Sequence, residues 1–327
     1  MPTALVTGAA GFLGRALVRA LAARGVAVRA LLRPSSDASA LPPGVEVVRG
    51  DALDRAAVRR AVDGCELVYH LAGLRRAADR DSFFAVNAGS TRLLLDACLE
   101  GGAARGRFVL AGSLAAAGPS REGKREEDPL APVEWYGESK AEAERIALSY
   151  AGRLPVAVAR PPRILGPGDR ENLLFFRLAA KGLVLRVLGP ERPLSWIDVD
   201  DCARGFALLG ERPEAVGQVF FLASPERTSV EGLQREVARA LGVAPRTVPV
   251  PPAALSALGW AADAVTRLTG RRLPLNRKLV RQVLAPGWTC ATGKAERVLG
   301  FTAGTALRDS VARSARDYRE RGWLPGP

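Results

Sequence analysis

Histidine and lysine are scarce in this chain of 327 residues: His70 is its one histidine, and Lys124, Lys140, Lys181, Lys278 and Lys294 are the lysines among 47 basic residues. A lone imidazole nearly excludes both a histidine-based nucleophilic triad and a multi-histidine metal centre, and no metal is expected. Cys65, Cys98, Cys202 and Cys290 are scattered and form no C-x-x-C pair. That pattern fits buried reduced thiols, not a disulfide frame or a zinc site. Long apolar runs are also missing, since no stretch reaches the roughly 18 residues that a membrane span requires. Met1 leads directly into an apolar strand with no signal-type segment, so the expected compartment is the cytoplasm. Repeats and long low-complexity segments are absent as well.

What is abundant is arginine, and the formal net charge is +13. The arginines are spread along the chain instead of forming one block, which argues for solvated faces and against a nucleic-acid surface. Phosphorylated small molecules are the anionic partners this field favours.

Apolar strands alternate with amphipathic helices through the first half. "TALVT", "VAVRALL", "VEVVRG", "ELVYHLA", "RFVLAGS" and "LPVAVARP" read as strands, with helices over 15–24, 55–62, 83–99 and 134–150. Apolar strands separated by helices predict parallel pairing with both sheet faces covered, hence an α/β doubly wound Rossmann-type sheet. Further helices are expected in "NLLFFRLAAKG", "SVEGLQREVARALG", "PPAALSALGWAADAVTRLTG" and over 306–321, joined by Pro-rich and Gly-rich loops.

"TGAAGFLGRALV" stands where the first strand meets the first helix. Glycine weakens both element types, by roughly 1 kcal/mol per residue in a helix, so a backbone requirement must outweigh propensity. Gly8 suits a tight turn, Gly11 the approach of a pyrophosphate to the backbone, and Gly14 close packing of helix on sheet. In "WYGESK", Tyr136 and Lys140 lie four apart and share a helix face. An ammonium beside a phenol stabilises phenolate and prepares the hydroxyl for proton transfer. Ser113 ends the buried strand "RFVLAGS", at the sheet edge where ligands of such folds bind; its plain alternative role is a helix or turn cap.

"TGAAGFLG", "GDALD", "VYHLAG", "VNAGSTRLLLDAC", Ser113 with Gly118 five positions on, "YGESK", "ARPPRILGPGD" and "LSWIDVDDCARG" occur in this order. With them the chain resembles, over essentially its whole length, the extended short-chain dehydrogenases/reductases of the NAD(P)-dependent epimerase/dehydratase and 3β-hydroxysteroid dehydrogenase/dihydroflavonol reductase type. The resemblance implies a catalytic group of Ser113, Tyr136 and Lys140. It places Gly8, Gly11, Phe12, Leu13, Gly14, Asp51, Ala52, Leu71, Ala72, Gly73 and Pro161 along the cofactor, with Asn87 beside it supporting the active-site strand and helix, and leaves His70 as a core residue. It further implies a dinucleotide-binding domain over 1–160, with returning segments near 192–224, and a smaller interleaved substrate lobe over 161–327.

Two departures narrow the chemistry. Nucleotide-sugar dehydratases of the family follow the catalytic hydroxyl residue with two acids, whereas Leu114 and Ala115 stand here and cannot deliver a proton for water loss. Many sugar-nucleotide epimerases carry Asn where this chain has Arg163. The expected function is therefore hydride transfer between nicotinamide and a secondary alcohol or ketone. The alternatives are a nucleotide-sugar epimerase with retained NAD(P) and, more remotely, a cofactor-binding protein without turnover.

At the end of the second strand, NAD binders of such folds carry an acid for the ribose hydroxyls, but Arg33 stands here, followed by Ser35, Ser36 and Asp37. A guanidinium suits a 2′-phosphate, so NADP is expected over NAD, with Asp37 folding back to the ribose as the alternative. The partner is a small-molecule substrate, and a homodimer is an open expectation. The helix carrying Leu255, Leu258, Trp260 and Val265, which runs toward Arg271 and Arg272, reads as core or lid packing, with contact to a membrane surface as its second reading.

Overall fold

The computed structural model describes residues 2–269 and 276–324; Arg271 and Arg272 lie outside the described residues. Its centre is a seven-stranded sheet in which every pairing is parallel. The strands are β1 (Thr3–Thr7), β2 (Ala27–Leu32), β3 (Glu46–Arg49), β4 (Leu67–His70) and β5 (Arg107–Ala111), then Val156–Ala159 and Gln218–Phe220. From one edge to the other the order is Gln218–Phe220, Val156–Ala159, β5, β4, β1, β2, β3. Because the order reverses between β1 and β4, the crevice of this Rossmann fold opens above the carboxyl ends of those two strands.

Both faces are covered, which explains why the central strands β1, β4, β5 and Val156–Ala159 are largely apolar and buried and do not alternate, whereas the edge strand β3 is mostly exposed. On one face Phe12–Ala22 and Val199–Glu211 pack together, and Leu17, Leu21, Cys202 and Phe206 share one core with Val6 and Ala30. On the other lie Arg55–Val62, Ser90–Gly101 and Trp135–Ser149, whose Val58, Leu94 and Ile146 meet Leu5, Val68 and Phe108. The four cysteines are buried free thiols, Cys202 in the first core, Cys65 and Cys98 in the second, and Cys290 in a small separate cluster with Leu114, Ala117 and Phe221.

The helix expected over 83–99 is three pieces: Arg80–Phe84, a wide π-helical turn over Ala85–Gly89, and Ser90–Gly101. Ser90 and Thr91 hydroxyls donate back to the carbonyls of Val86 and Asn87, absorbing backbone acceptors that the widened turn frees. The short strand Gln218–Phe220 carries no alternation and is set by its place at the sheet edge. Outside the sheet, Pro193–Asp198 pairs with Arg163–Leu165, Arg227–Ser229 and Trp288–Cys290, the last of which also pairs with Ser120–Lys124. Leu183–Val187 and Arg246–Val250 form a separate parallel pair.

One buried ion pair ties the sheet to the helix that bears Tyr136. Arg160, just past Val156–Ala159, bonds through two nitrogens to Glu144, and both side chains are nearly inaccessible, at 3% and 2% exposure. Arg160 also donates its backbone N–H to Phe220 O and a guanidinium N–H to Glu126 O. Removing one partner strands a charge in a dry interior. Arg160→Ala is expected to destabilise the fold by about 3–5 kcal/mol in urea unfolding, whereas Arg160→Met combined with Glu144→Leu should lose much less.

Candidate active site

At the end of β1 the chain turns through Gly8, whose φ of +69° disfavours any side chain. A Cβ there would also lie 2.8 Å from Ala72 N, and one at Gly14 would overlap the Gly8 carbonyl. These two glycines therefore bring the first helix and the β4 loop onto the turn. Gly11 is the N-cap of Phe12–Ala22, gives no side-chain cap, and is followed by no acid in the first turn. The first-turn amides and the positive end of the helix are left for an external anion, as a dinucleotide pyrophosphate requires. Phe12 and Leu13 carry those amides.

At the adenosine end, Arg33 is exposed at the first position of a turn closed by Ser36 N–H to its carbonyl at 2.9 Å. Arg49 Nη1 donates to the carbonyls of Arg33 and Ser36 at 3.2 and 2.7 Å. Asp37 does not fold back: its two oxygens accept from the N–H and hydroxyl of Ser39, both at 2.8 Å. Those bonds hold its carboxyl below the ordinary value, with Arg15 and Arg49 adding to the effect. Asp51 accepts from Leu53 N at 2.9 Å and, with Ala52, follows β3 at the same edge.

Leu71, Ala72 and Gly73 leave β4 over a relay centred on His70. Ala72 N–H donates to Thr7 Oγ1 at 3.1 Å, and Thr7 Oγ1 lies 2.8 Å from His70 Nδ1. Ser90 Oγ lies 3.0 Å from His70 Nε2 and gives its own proton to Val86 O. Since the Ser90 hydrogen is committed, Nε2–H must donate to Ser90 and Nδ1 must accept from Thr7. The imidazole is thus neutral and in one tautomer. Burial, with Lys140 nearby, lowers its pKa to about 3.

The helix Trp135–Ser149 is started by Glu134, whose carboxylate accepts from the N–H groups of Tyr136 and Gly137, both at 2.8 Å. A Cβ on Gly137 would come within 2.5 Å of Ala115 O, so this glycine lets the helix close on the turn that carries Ser113. Ser113 caps Leu114–Ala117 by accepting from Ala115 N at 3.1 Å, which leaves its hydroxyl proton available. Its capping role and its place at the sheet edge coexist. Pro161 O accepts from Leu114 N at 3.0 Å, fixing the same turn to the end of Val156–Ala159.

Lys140 is buried, and its ammonium donates to Ala111 O at 2.8 Å. Burial first, and then Arg75, lower its pKa to about 8. A Cβ on Gly73 would lie 3.2 Å from Lys140 Nζ and 2.8 Å from Asn87 Oδ1, so the β4 loop and the lysine meet. Asn87 accepts from Leu74 N at 2.7 Å and donates to Leu74 O and Ser139 Oγ. Its amide is thus engaged by the protein and ties the Gly73–Leu74 loop to the helix Trp135–Ser149.

Some residues of the site had no motif to reveal them. Arg75 lies over the Tyr136 ring, 5.7 Å from its centroid, and Phe83 meets that ring edge-on at 6.4 Å. Arg163 bonds Asn172 and lies over Phe175, with burial and Arg75 lowering its pKa. Arg75 thus brings positive charge to the Tyr136 ring and to Arg163. Glu134 was legible as the polar residue before "WYG", whereas Thr7 and Ser90 depend on strand register.

The model of the NAD dependent epimerase/dehydratase family matches residues 4–223. The chain belongs to that family. It is accordingly an enzyme, of a family that is NAD-dependent. It is 33% identical to the ceramide reductase of Caulobacter vibrioides, an alignment covering 98% of this chain and 95% of that protein. Sterol demethylase protein B of Methylococcus capsulatus is 30% identical, over 98% of this chain and 100% of that one. Among solved structures, the dTDP-glucose 4,6-dehydratase DesIV of Streptomyces venezuelae, with NAD bound, superposes with a TM-score of 0.79 at 25% identity, over 99% of each chain.

The His70 relay sets a pH dependence. The unfolded chain binds a proton on His70 below about pH 6.5, while the folded site resists until about pH 3. The unfolded state therefore gains protons as pH falls through that window, and the stability present above pH 6.5 is lost progressively toward pH 3. Urea midpoints measured from pH 7 to pH 5 should fall more steeply for the wild type than for His70→Asn, the difference approaching about 1.4 kcal/mol per pH unit. Equal slopes would mean that His70 is charged in the folded protein.

Proposed function

We propose that the protein is an NADP-dependent oxidoreductase interconverting a secondary alcohol and its ketone on a lipophilic substrate. The observation that supports the reading most is the close approach of the helix bearing Tyr136 and Lys140 to the Ser113 turn, Gly137 against Ala115 O, with the Lys140 ammonium on Ala111 O beside Gly73 and with Leu114 and Ala115 instead of acids after Ser113. Bound nicotinamide dinucleotide supplies or accepts the hydride. Tyr136 exchanges the hydroxyl proton with the substrate oxygen, and Ser113 donates its free hydroxyl proton to that same oxygen as a hydrogen bond. Lys140 keeps N–H groups beyond the one given to Ala111, and these hold the ribose and bias the phenol toward proton loss.

The preference for NADP rests on Arg33 and Arg49 at the ribose end and on the engagement of Asp37 with Ser39, which removes the usual carboxylate partner of the ribose hydroxyls. Support for a lipophilic substrate comes from the relatives named for ceramide and sterol. A nucleotide-sugar epimerase is the second reading, supported by the family's name and by the likeness to DesIV as a nucleotide-sugar enzyme, and disfavoured by Arg163.

Tyr136→Phe should keep cofactor binding and lose about 100- to 10,000-fold in turnover. Nicotinamide absorbance should change in proportion to substrate consumed; a reaction with no net change would establish the epimerase instead. In calorimetric titrations the wild type should bind NADP more tightly than NAD. Arg33→Ala should weaken NADP by roughly tenfold and leave NAD nearly unchanged. Tighter NAD binding by the wild type would refute the cofactor assignment.

A further inference from the structure

The helix Pro252–Thr269 has an outer face that is exposed among the described residues. Ala254, Leu258, Ala261, Val265 and Leu268 follow one another at spacings of four and three, form a single stripe, and are all exposed. Leu258 is 55% exposed, Trp260 59% and Leu268 86%, values seldom met by large apolar side chains grouped together. The inner face is packed: a Cβ on Gly259 would lie 2.8 Å from Val280, so Arg277–Leu284 closes against the helix.

That second helix adds charge of one sign. The Arg277 guanidinium stacks on Trp260 at 3.4 Å from the ring centroid, and Arg281 is exposed and reaches Val133 O at 3.4 Å. Neither arginine forms an ion pair among the described residues, unlike Arg19, Arg24, Arg29, Arg235 and Arg313. Leu279, between them, is also exposed. Behind the stripe, a cavity of about 430 Å³ is lined by Trp260, Arg277, Val280, Arg281 and Leu284 on one side and Val133 on the other.

We infer that this helical hairpin docks on an anionic lipid bilayer. An apolar stripe on the outer face, a tryptophan at its margin and unpaired guanidiniums beside it form the arrangement that inserts side chains at the acyl boundary and leaves cations among the headgroups. Charge decides between occupants. Pairing the stripe with a second copy would bring two sets of these arginines onto one face, with Asp263 as the acid of the helix among its described side chains. A surface of phosphate groups meets them with opposite charge. No helix among the described residues is long and apolar enough to cross a membrane, so the hairpin lies on the surface. The inference does not depend on the reaction assigned above.

Co-sedimentation of the full chain with vesicles tests it. The wild type should bind phosphatidylcholine vesicles containing phosphatidylglycerol, bind pure phosphatidylcholine more weakly, and release with salt. Leu258→Glu with Leu268→Glu should reduce binding at least about tenfold, and Arg277→Gln with Arg281→Gln should remove roughly tenfold of the preference for the anionic vesicles. Thermal midpoint and NADP titration show whether each variant is folded. Should the double leucine variant misfold, Leu268→Glu alone carries the test, because that side chain is almost fully exposed. A wild type that stays in the supernatant at low salt, or a leucine variant that binds as well as the wild type, overturns the inference. So does a dimer that the same substitutions dissociate in sedimentation velocity, which would make a second copy the occupant.

Discussion

A buried ammonium organises this protein. Lys140 sits out of water with one carbonyl, Ala111 O, for its three N–H groups, and a charge in that condition is tolerated only where further acceptors arrive. Burial, and then Arg75, lower its pKa to about 8. The surrounding architecture keeps the ammonium in place without neutralising it. Arg160 and Glu144 fix its helix to the sheet, Glu134 caps that helix, and Asn87 with Ser139 holds the β4 loop against it. Among the described residues no second acceptor meets those N–H groups, so the ammonium remains open to an acceptor from outside the protein.

Glycines at two turns serve the same end from the backbone side. Gly8 and Gly14 bring a helix terminus and the β4 loop together above the sheet, while Gly137 lets the Tyr136 helix touch the Ser113 turn. Side chains at these places would wedge apart the two halves of the site. The polar chemistry then falls to few groups at short range, which is consistent with a chain that has one histidine.

Much of this was legible in the sequence because it depends on local pattern. The apolar runs became the parallel strands, and Tyr136 and Lys140 share a helix face as their spacing requires. The glycine-rich turn and Ser113 fell at the sheet edge. The unread parts depend on what meets across the fold. The π-helical turn at Ala85–Gly89 is invisible to helical periodicity, because it arises from what Asn87, Ser90 and Thr91 bond. The place of Arg75 over Tyr136 follows from a loop path that no motif encodes. Asp37 gave no sequence signal of its direction, since Ser35 and Ser36 before it and Ser39 after it were equally available as partners, and Ser39 holds it.

The relay through His70 runs from the amide of Ala72 to the carbonyl of Val86, with each hydroxyl proton pointing the same way. It joins the loop beneath the dinucleotide to the turn that holds Asn87. Because no other histidine exists in the chain, the imidazole carbons and nitrogens give one isolated set of magnetic resonance signals. Any rearrangement of either loop must pass through those two hydrogen bonds and alter the shielding of the ring. The protein thus contains, without any substitution, a spectroscopic probe between its β4 loop and the turn over Ala85–Gly89.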